Sequence, residues 1–190
     1  MNKPFNDEPV EVLIPKLLSK DGKLLDLRLK YIGDDGLKIV AETEALRGLE
    51  VLNLERNDIG PDGIRALAES TIITGLTELH LERNDLGDDG MRILAESSNF
   101  SQLKYLNLWK NKVGPEGAKA LSQSLYLSSL IRLDIAQNEI GDEGAQAFSE
   151  SLTLSDLKYL DVFGNNISLE GQELLKNAEG LVKVQDMILA

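Results

Sequence analysis

The chain has 190 residues, of which 42% are hydrophobic and 27% are charged, and this balance is typical of one globular domain with a continuous core. It contains no cysteine, which excludes disulfide bonds, thiolate metal sites and a cysteine nucleophile. The formal net charge of -12 would repel phosphate groups, so neither nucleic acid nor an anionic membrane surface is expected as a partner.

The stretch from Met1 to Glu8 lacks the apolar run of a secretory signal, and no segment of the sequence reaches the ~18 apolar residues of a membrane span. These features predict a soluble protein that is cytoplasmic, or one delivered outside the cell without a recognisable signal peptide. On that basis we interpret the Asn-X-Ser sequences at Asn99 and Asn166 as chance matches and not as glycan sites.

Residues 1–21 precede the repeats, and their apolar pattern predicts a helical cap. Val10, Leu13 and Ile14 recur with the spacing of one helix face. A helix with this face could cover the open end of the first repeat, although Pro15 removes one backbone hydrogen bond from it.

Residues 22–190 are built on an internal repeat of 27 residues. The clearest copy runs from Leu103 to Gly117 and reads as a short strand, a turn containing Asn111 and the start of a helix. Leucines in the same register open five copies, at Leu49, Leu76, Leu103, Leu130 and Leu157. The first copy is degenerate because Lys30 replaces the asparagine, and a seventh copy contains only a strand. The pattern predicts one structural domain of six repeats and a seventh terminal strand.

Each repeat position has a physical role. In Leu106-Asn107-Leu108 the leucines alternate with a polar residue, which indicates a strand that is buried on one face and exposed on the other. The amide of the next asparagine can donate and accept, so it can satisfy backbone groups of adjoining turns inside the stack. The sequence therefore predicts a buried asparagine ladder of Asn57, Asn84, Asn111, Asn138 and Asn165. Glycines that recur near the helix starts, such as Gly90 and Gly117, are expected to allow close approach of the backbone to the neighbouring repeat.

These copies resemble the leucine-rich repeat, in the strand-plus-helix subtype found in ribonuclease inhibitor, the Ran GTPase-activating protein and nucleotide-sensing innate immune receptors. Four copies match the pattern L-x-x-L-x-L-x-x-N-x-I-G-x-x-G in full and two match it in part, over about residues 22 to 189. The resemblance implies an α/β solenoid curved into a horseshoe, with a parallel β-sheet on the concave face and helices on the convex face. Function on such a shared fold is set by the variable positions.

The exposed strand positions would line the concave face, and they hold an unusual share of the aromatic residues. The only tryptophan and the only histidine fall there, although Phe, Trp and Tyr together make up 5% of the chain. Because such residues dominate interface hot spots, we predict a partner-binding site. Its residues are Tyr105, Trp109, Arg132, Tyr159, Phe163, His80, Asp134 and Asp161. The alternative is that the rings only cover the sheet and pack on one another across strands.

The amino-terminal half of this face carries charges of both signs. Glu55 and Glu82 lie near Arg56 and Arg83 in the register of neighbouring repeats. We expect these side chains to form ion pairs between repeats in a solvated surface.

Catalysis has little support in the sequence. His80 is flanked by carboxylates in the strand pattern, but no serine lies beside it as a nucleophile. Pairs such as Asp34-Asp35 lack the alternating spacing of a calcium loop and indicate helix starts. We therefore predict no catalytic residues, no metal site and no cofactor.

The predicted function is a non-catalytic protein-protein interaction scaffold that binds a protein on its concave face. The resemblance to the Ran activator leaves a GTPase-activating regulator as an alternative, with Arg56 or Arg83 acting on the nucleotide, although this chain has fewer repeats and no acidic tail. A structural or self-assembly module is a third class, because an edge strand from Val184 to Leu189 would offer unpaired backbone groups. We expect a monomer or a weak edge-mediated dimer.

Overall fold

The computed structural model describes residues 8–189, in which strands and helices alternate along the chain. The strands β1 to β7 span Leu24–Asp26, Val51–Asn53, Glu78–His80, Tyr105–Asn107, Arg132–Asp134, Tyr159–Asp161 and Asp186–Ile188. The helices α1 to α7 span Val10–Leu17, Gly33–Glu42, Pro61–Ala68, Gly87–Glu96, Pro115–Gln123, Gly141–Ser149 and Leu169–Lys176. Short 3₁₀ turns lie at Glu44–Leu46, Ser98–Phe100 and Glu179–Leu181. Each repeat contributes one layer, here called a rung, and β1 to β7 number the rungs.

The strands form one parallel sheet in sequential order, β1 to β7. The register is constant, so that Leu52 pairs with Leu79 and Leu79 pairs with Leu106. Equivalent repeat positions therefore lie in straight rows across the sheet. Parallel strands sit about 4.8 Å apart, whereas packed helices need about 8–10 Å, so the stack curves with the sheet on its concave face. The predicted α/β solenoid is confirmed.

A continuous apolar core lies between the sheet and the helices. Leu52 and Leu54 in one rung, and Leu106 and Leu108 in another, are completely buried, because the alternation continues one residue past each strand and directs both leucines to the same side. The helices contribute side chains such as the equally buried Leu67. Each such side chain stabilises the fold by about 1.5–3 kcal/mol relative to exposure, so the repeated leucines dominate the folding free energy.

The asparagine after each strand is buried between rungs. Asn57, Asn84, Asn111, Asn138 and Asn165 are all at most 7% exposed. The Nδ2 atom of Asn138 donates to the Leu108 carbonyl of the preceding rung at 2.9 Å. Its Oδ1 atom accepts from the backbone N–H groups of Asn111 at 2.8 Å and Val113 at 3.0 Å. One amide thus satisfies three buried backbone groups, each of which would otherwise be destabilising.

Successive rungs alternate between two ways of starting the helix. In one type, Gly87 adopts a left-handed backbone conformation with φ 55° and donates to the Asn111 carbonyl of the next rung at 3.0 Å. In the other type, an extended Gly114 precedes the helix and donates to Oδ1 of Asp88, in the rung before, at 2.7 Å. The same pairing joins Gly60 to Asp34 and Ser168 to Asp142. The structural period is therefore two repeats, and an aspartate at the start of one helix caps the next.

The recurring glycines make room for side chains. A Cβ atom on Gly117 would lie 2.6 Å from Oδ1 of Asp88, the capping carboxylate of the preceding rung. A Cβ atom on Gly90 would lie 2.9 Å from the Cβ atom of Leu86 in its own rung. The expected close approach to the neighbouring repeat is seen at Gly117, where the contact is with a side chain of the preceding rung, whereas at Gly90 the close contact lies within its own rung.

Helix α1 lies against the first rung. Val10, Leu13 and Ile14 are buried and belong to the core cluster. Pro15 lies inside the helix and is exposed. A bridge between Leu18 and Leu25 then joins the chain to β1 in an antiparallel sense.

The helices are short. The longest of those described, α2 and α4, have 10 residues each. Within residues 8–189, none of the helices combines the length and the apolar character needed to cross a bilayer.

Candidate partner-binding surface

Five of the predicted binding residues lie together on the strand face of rungs four to six. Tyr105, Arg132 and Tyr159 occupy the first position of β4, β5 and β6 and pair in register. Trp109 and Phe163 lie two residues beyond the ends of β4 and β6. Phe163 is 43% exposed and Arg132 is also exposed, whereas the other three are half-buried. These five residues are called the aromatic–arginine patch below.

Arg132 is held between two tyrosine rings. Its Cζ atom lies 4.2 Å from the Tyr159 ring centroid and 5.7 Å from that of Tyr105. Each cation–π contact of this kind contributes about 0.5–1 kcal/mol at an exposed site. The guanidinium is therefore ordered before any partner arrives.

Trp109 is in contact with cations of its own chain. The Cζ atom of Arg83 lies 4.5 Å from the indole centroid, and the Nζ atom of Lys110 lies 4.8 Å from it. The backbone N–H of Trp109 donates to Oδ1 of Asn107 at 3.0 Å. Part of the Trp109 ring thus packs on its own chain, as the alternative of sheet cover proposes.

His80 joins the patch from the amino-terminal side. Its ring centroid lies 4.8 Å from that of Tyr105 at an interplanar angle of 46°. Its Nδ1 atom lies 3.5 Å from Glu82 and its Nε2 atom 3.8 Å from Glu78. These contacts place the imidazole between two carboxylates and a ring.

Asp134 and Asp161, also predicted as binding residues, have a second task that the sequence did not reveal. Oδ1 of Asp134 accepts from the backbone N–H of Ala136 at 3.0 Å, and Oδ1 of Asp161 accepts from that of Phe163 at 2.9 Å. Asp and Asn commonly satisfy the backbone two residues on in this way. These carboxylates therefore shape the end of each strand, and Oδ2 of Asp161 also accepts from the Tyr159 hydroxyl at 3.3 Å.

A cavity of about 370 Å³ opens beside the patch on the strand face. It is called the acidic cavity below and is lined by Glu55, Glu82, Asn107, Trp109, Asp134, Ala136, Asp161, Phe163 and Ile188. Ala136 is only 4% exposed, so the small side chain leaves a depression between the larger rings of rungs four and six.

Burial affects the protonation of the strand-face groups. It raises the pKa of the Asp134 carboxyl above its ordinary value; the Ala136 N–H opposes this effect, while the negative charges of Asp161 and Glu82 add to it. Burial likewise raises the pKa of the Tyr105 and Tyr159 hydroxyls.

The sequence placed Glu55 and Glu82 in a separate, solvated half of the concave face, yet both line the acidic cavity. Ile188 of the terminal strand was also missed as a lining residue. The signal was available, because the constant register puts Glu82 in the same row as Trp109 and Ile188 in the same row as Asp161.

A larger hollow of about 580 Å³ lies on the helix side, between α6 and α7. Leu152, Leu174 and several glutamates line it. It contains none of the predicted binding residues.

Among residues 8–189, no three His, Asp or Glu side chains are gathered closely enough to hold a metal ion. The four carboxylates of the acidic cavity therefore do not form such a group.

Five segments of the chain match the family description Leucine Rich repeat, at residues 47–68, 74–95, 102–122, 126–149 and 153–175. Together they cover more than half of the chain. Leucine-rich repeats serve as scaffolds for protein-protein interaction. No curated protein matches the sequence.

Solved structures with a similar fold come from bacteria, plants and animals. An internalin (inlF) from Listeria monocytogenes is 21% identical with a TM-score of 0.44, over 80% of this chain and 50% of that one. The plant peptide hormone receptor RGFR1 in complex with RGF2 is 22% identical with a TM-score of 0.46, over 80% of this chain and 22% of that one. The tropomodulin C-terminal domain from Caenorhabditis elegans is 15% identical with a TM-score of 0.50, over 93% of both chains. The chain therefore spans half or less of the first two proteins, and the likeness concerns the fold.

Proposed function

Because the chain belongs to the leucine-rich repeat family, we propose that it is a non-catalytic scaffold that binds a protein partner on its concave face. The aromatic–arginine patch is the observation that carries the proposal. Arg132 is already ordered between two tyrosine rings, 4.2 and 5.7 Å away, so less side-chain freedom is lost on binding. Phe163, at 43% exposed, adds an apolar contact beside it. Arginine and aromatic anchors surrounded by polar groups are typical of binding hot spots.

The contacts of Arg83 favour this function over a GTPase-activating one. Its guanidinium is engaged with the Trp109 ring at 4.5 Å, as a binding-surface residue would be. Within residues 8–189, the contacts of His80 are with Glu78, Glu82 and Tyr105, and they include no serine or threonine hydroxyl that it could activate.

Replacement of Phe163 tests the proposal against a matched control. Phe163 is 43% exposed on the concave face and Tyr126 is 41% exposed in the connection after α5, so truncation removes a similar exposed ring in each case. We expect Phe163→Ala to weaken partner binding by more than about 1 kcal/mol, or about fivefold, and Tyr126→Ala to have little effect. The partner is isolated from an extract of the native host with the immobilised chain and then titrated by calorimetry.

Urea unfolding of both variants completes the test. Both rings are exposed, so we expect the free energy of unfolding to change by about 0.5 kcal/mol or less. Equal binding of the two variants would show that the partner uses another surface. A large loss of stability in Phe163→Ala without a loss of affinity would support sheet cover.

The repeat subtype and the bounds of the cap and the repeat body are part of the same proposal. We infer the ribonuclease-inhibitor-like subtype, which is supported by rungs one to six, each of which combines a three-residue strand with a helix of 8 to 10 residues. We also infer that residues 1–21 act as a cap and residues 22–190 as the repeat body, in keeping with the burial of Val10 and Leu13 against the first rung; residues 1–7 and 190 of these ranges lie outside the described residues. The charge of -12 supports a protein partner over nucleic acid or membrane.

A further inference from the structure

We propose that the acidic cavity receives a lysine or arginine side chain of the protein partner. This inference rests on the proposed protein-binding function and specifies the chemistry that the partner presents. It concerns the space that is bounded by Ala136, by the rings of Trp109 and Phe163, and by the surrounding carboxylates.

The charge of the lining is the first argument. Glu55, Glu82, Asp134 and Asp161 line the cavity, whereas no lysine or arginine does. Four carboxylates around a space of about 370 Å³ favour a cation inside it, because the concave wall concentrates their field. The partner group that complements this wall is positively charged.

The hydrogen-bonding state of the wall is the second argument. The Oε2 atom of Glu82 is buried and has no hydrogen-bond donor among the described residues. A buried acceptor without a donor is destabilising by about 1–3 kcal/mol, and a bound ammonium or guanidinium would supply the donor. The carboxyl pKa of Asp134 is raised by burial first and further by Asp161 and Glu82, and the opposing effects of the Ala136 N–H and Arg132 do not cancel this rise, so its charge is only partly compensated.

The shape of the cavity selects an extended cation. The carboxylates are too widely spread to hold a metal ion. Trp109, Phe163 and Ile188 form apolar walls above the small Ala136, and such walls suit the methylene stem of a long basic side chain. Its head group would reach the carboxylates and the face of an aromatic ring.

The nearby cations of the chain have other contacts and do not line the acidic cavity. Arg83 and Lys110 contact the Trp109 ring, and Arg132 contacts the two tyrosines. Arg28 is paired with Asp26 at 2.6 Å, although it also acts electrostatically on Glu55 and Glu82. The compensation that these cations supply is therefore indirect, and a partner's cation inside the cavity would complete it.

Short peptides test the inference directly. The probes are acetyl-Gly-Lys-Gly-amide, its arginine analogue and its norleucine analogue, which keeps the stem but lacks the charge. Trp109 is the only tryptophan, so its single indole N–H resonance reports on the cavity during an NMR titration. We expect saturable shifts with a basic probe, and binding of the norleucine probe that is weaker by about tenfold or more.

Two variants locate the binding site. Asp134→Asn keeps an oxygen that can accept from the Ala136 N–H but removes the charge, and it should weaken binding of the basic probe by about fivefold or more. Glu143→Gln makes the same change in net charge at an exposed position of α6, and it should leave binding unchanged. Glu82→Gln serves as a second cavity variant.

The outcomes separate the inference from the proposed function. Equal binding of the norleucine probe, unchanged binding by both cavity variants, or no binding up to about 10 mM would overturn the basic-side-chain inference. The concave-face function would still stand if Phe163→Ala weakens the native partner. Conversely, a cavity that binds the basic probe while Phe163→Ala leaves partner binding intact would support the cavity and count against that function.

Discussion

Single side chains on the concave face interact with their own chain as well as with solvent. Arg132 bridges Tyr105 and Tyr159, and Trp109 contacts Arg83 and Lys110. These contacts run along rows that the constant strand register creates. The surface is thus ordered in the free protein, which lowers the entropy lost on binding.

Asp134 should reduce stability at neutral pH. Burial raises the pKa of its carboxyl in the folded chain, the Ala136 N–H opposes this, and Asp161 and Glu82 add to it, while Arg132 lowers it. The native state therefore binds this proton more tightly than the unfolded state, and stability falls as pH rises through the interval between the two pKa values. We expect Asp134→Asn to be more stable than the wild type at pH 7.

The gain in stability of Asp134→Asn over the wild type should vanish in acid. Below the ordinary aspartate pKa of about 3.9 the wild-type carboxyl is protonated in both states, so the two proteins should have similar unfolding free energies. Urea titrations at pH 3.5, 5 and 7 would measure the trend. A gain that grows as the pH falls would have the wrong sign for a buried carboxylate.

At the scale of the element, the rungs are joined in pairs, because an aspartate of one rung caps the helix of the next rung. Asp88 lies at the start of α4 but accepts from Gly114 at 2.7 Å and Gly117 at 2.9 Å, at the start of α5. The first N–H groups of a helix have no partner within it, so this carboxylate replaces a local capping residue. The glycine at position 117 is needed because a Cβ atom would collide with the carboxylate.

Removal of the Asp88 carboxylate should destabilise the protein, although Asp88 belongs to α4 and the helix that it caps is α5. We expect Asp88→Ala to lower the free energy of unfolding by about 1–2 kcal/mol. Asp89→Ala is the control, because its carboxylate is 73% exposed and pairs with Arg92 on its own helix. That change should lower the free energy by about 0.5 kcal/mol. If chemical unfolding shows that both variants lose the same free energy of unfolding, the helix dipole, and not the cap between rungs, accounts for the loss.

At the scale of the whole molecule, the two ends of the stack differ. Helix α1 packs on the first rung with Val10 and Leu13 buried, whereas β7 lies at the outer edge of the described sheet with Ile188 39% exposed. Edge strands can pair with another chain, and charges on them oppose pairing. The proposed state is a monomer or a weak dimer through this edge.

Light scattering across a concentration series would test this state. We expect the monomer mass of 20.9 kDa at low concentration, and any dimer at high concentration should be lost in Ile188→Lys but kept in Tyr126→Lys. A dimer that persists at about 1 μM, or that survives Ile188→Lys, would require a different interface.

The regular positions of the repeat allowed the fold to be predicted. The leucines at 106 and 108 and the asparagine at 111 have side chains whose burial and hydrogen bonding follow from strand alternation and from backbone groups that need partners. The row positions of Tyr105, Arg132 and Tyr159 followed from the same constant register. Their mutual contacts did not, because contact depends on rotamers that sequence spacing leaves open.

The sequence by itself determined the period of the stack, the residues that enter its core and the face on which each variable side chain lies. These properties are local, since they depend on alternation along a three-residue strand and on one repeat length. Only the tertiary structure decided that Asp88 caps the next helix and that Arg83 covers Trp109. Those relations join residues about 26 or more positions apart, and they depend on how far a side chain reaches across a gap of about 4.8 Å between curved, stacked rungs.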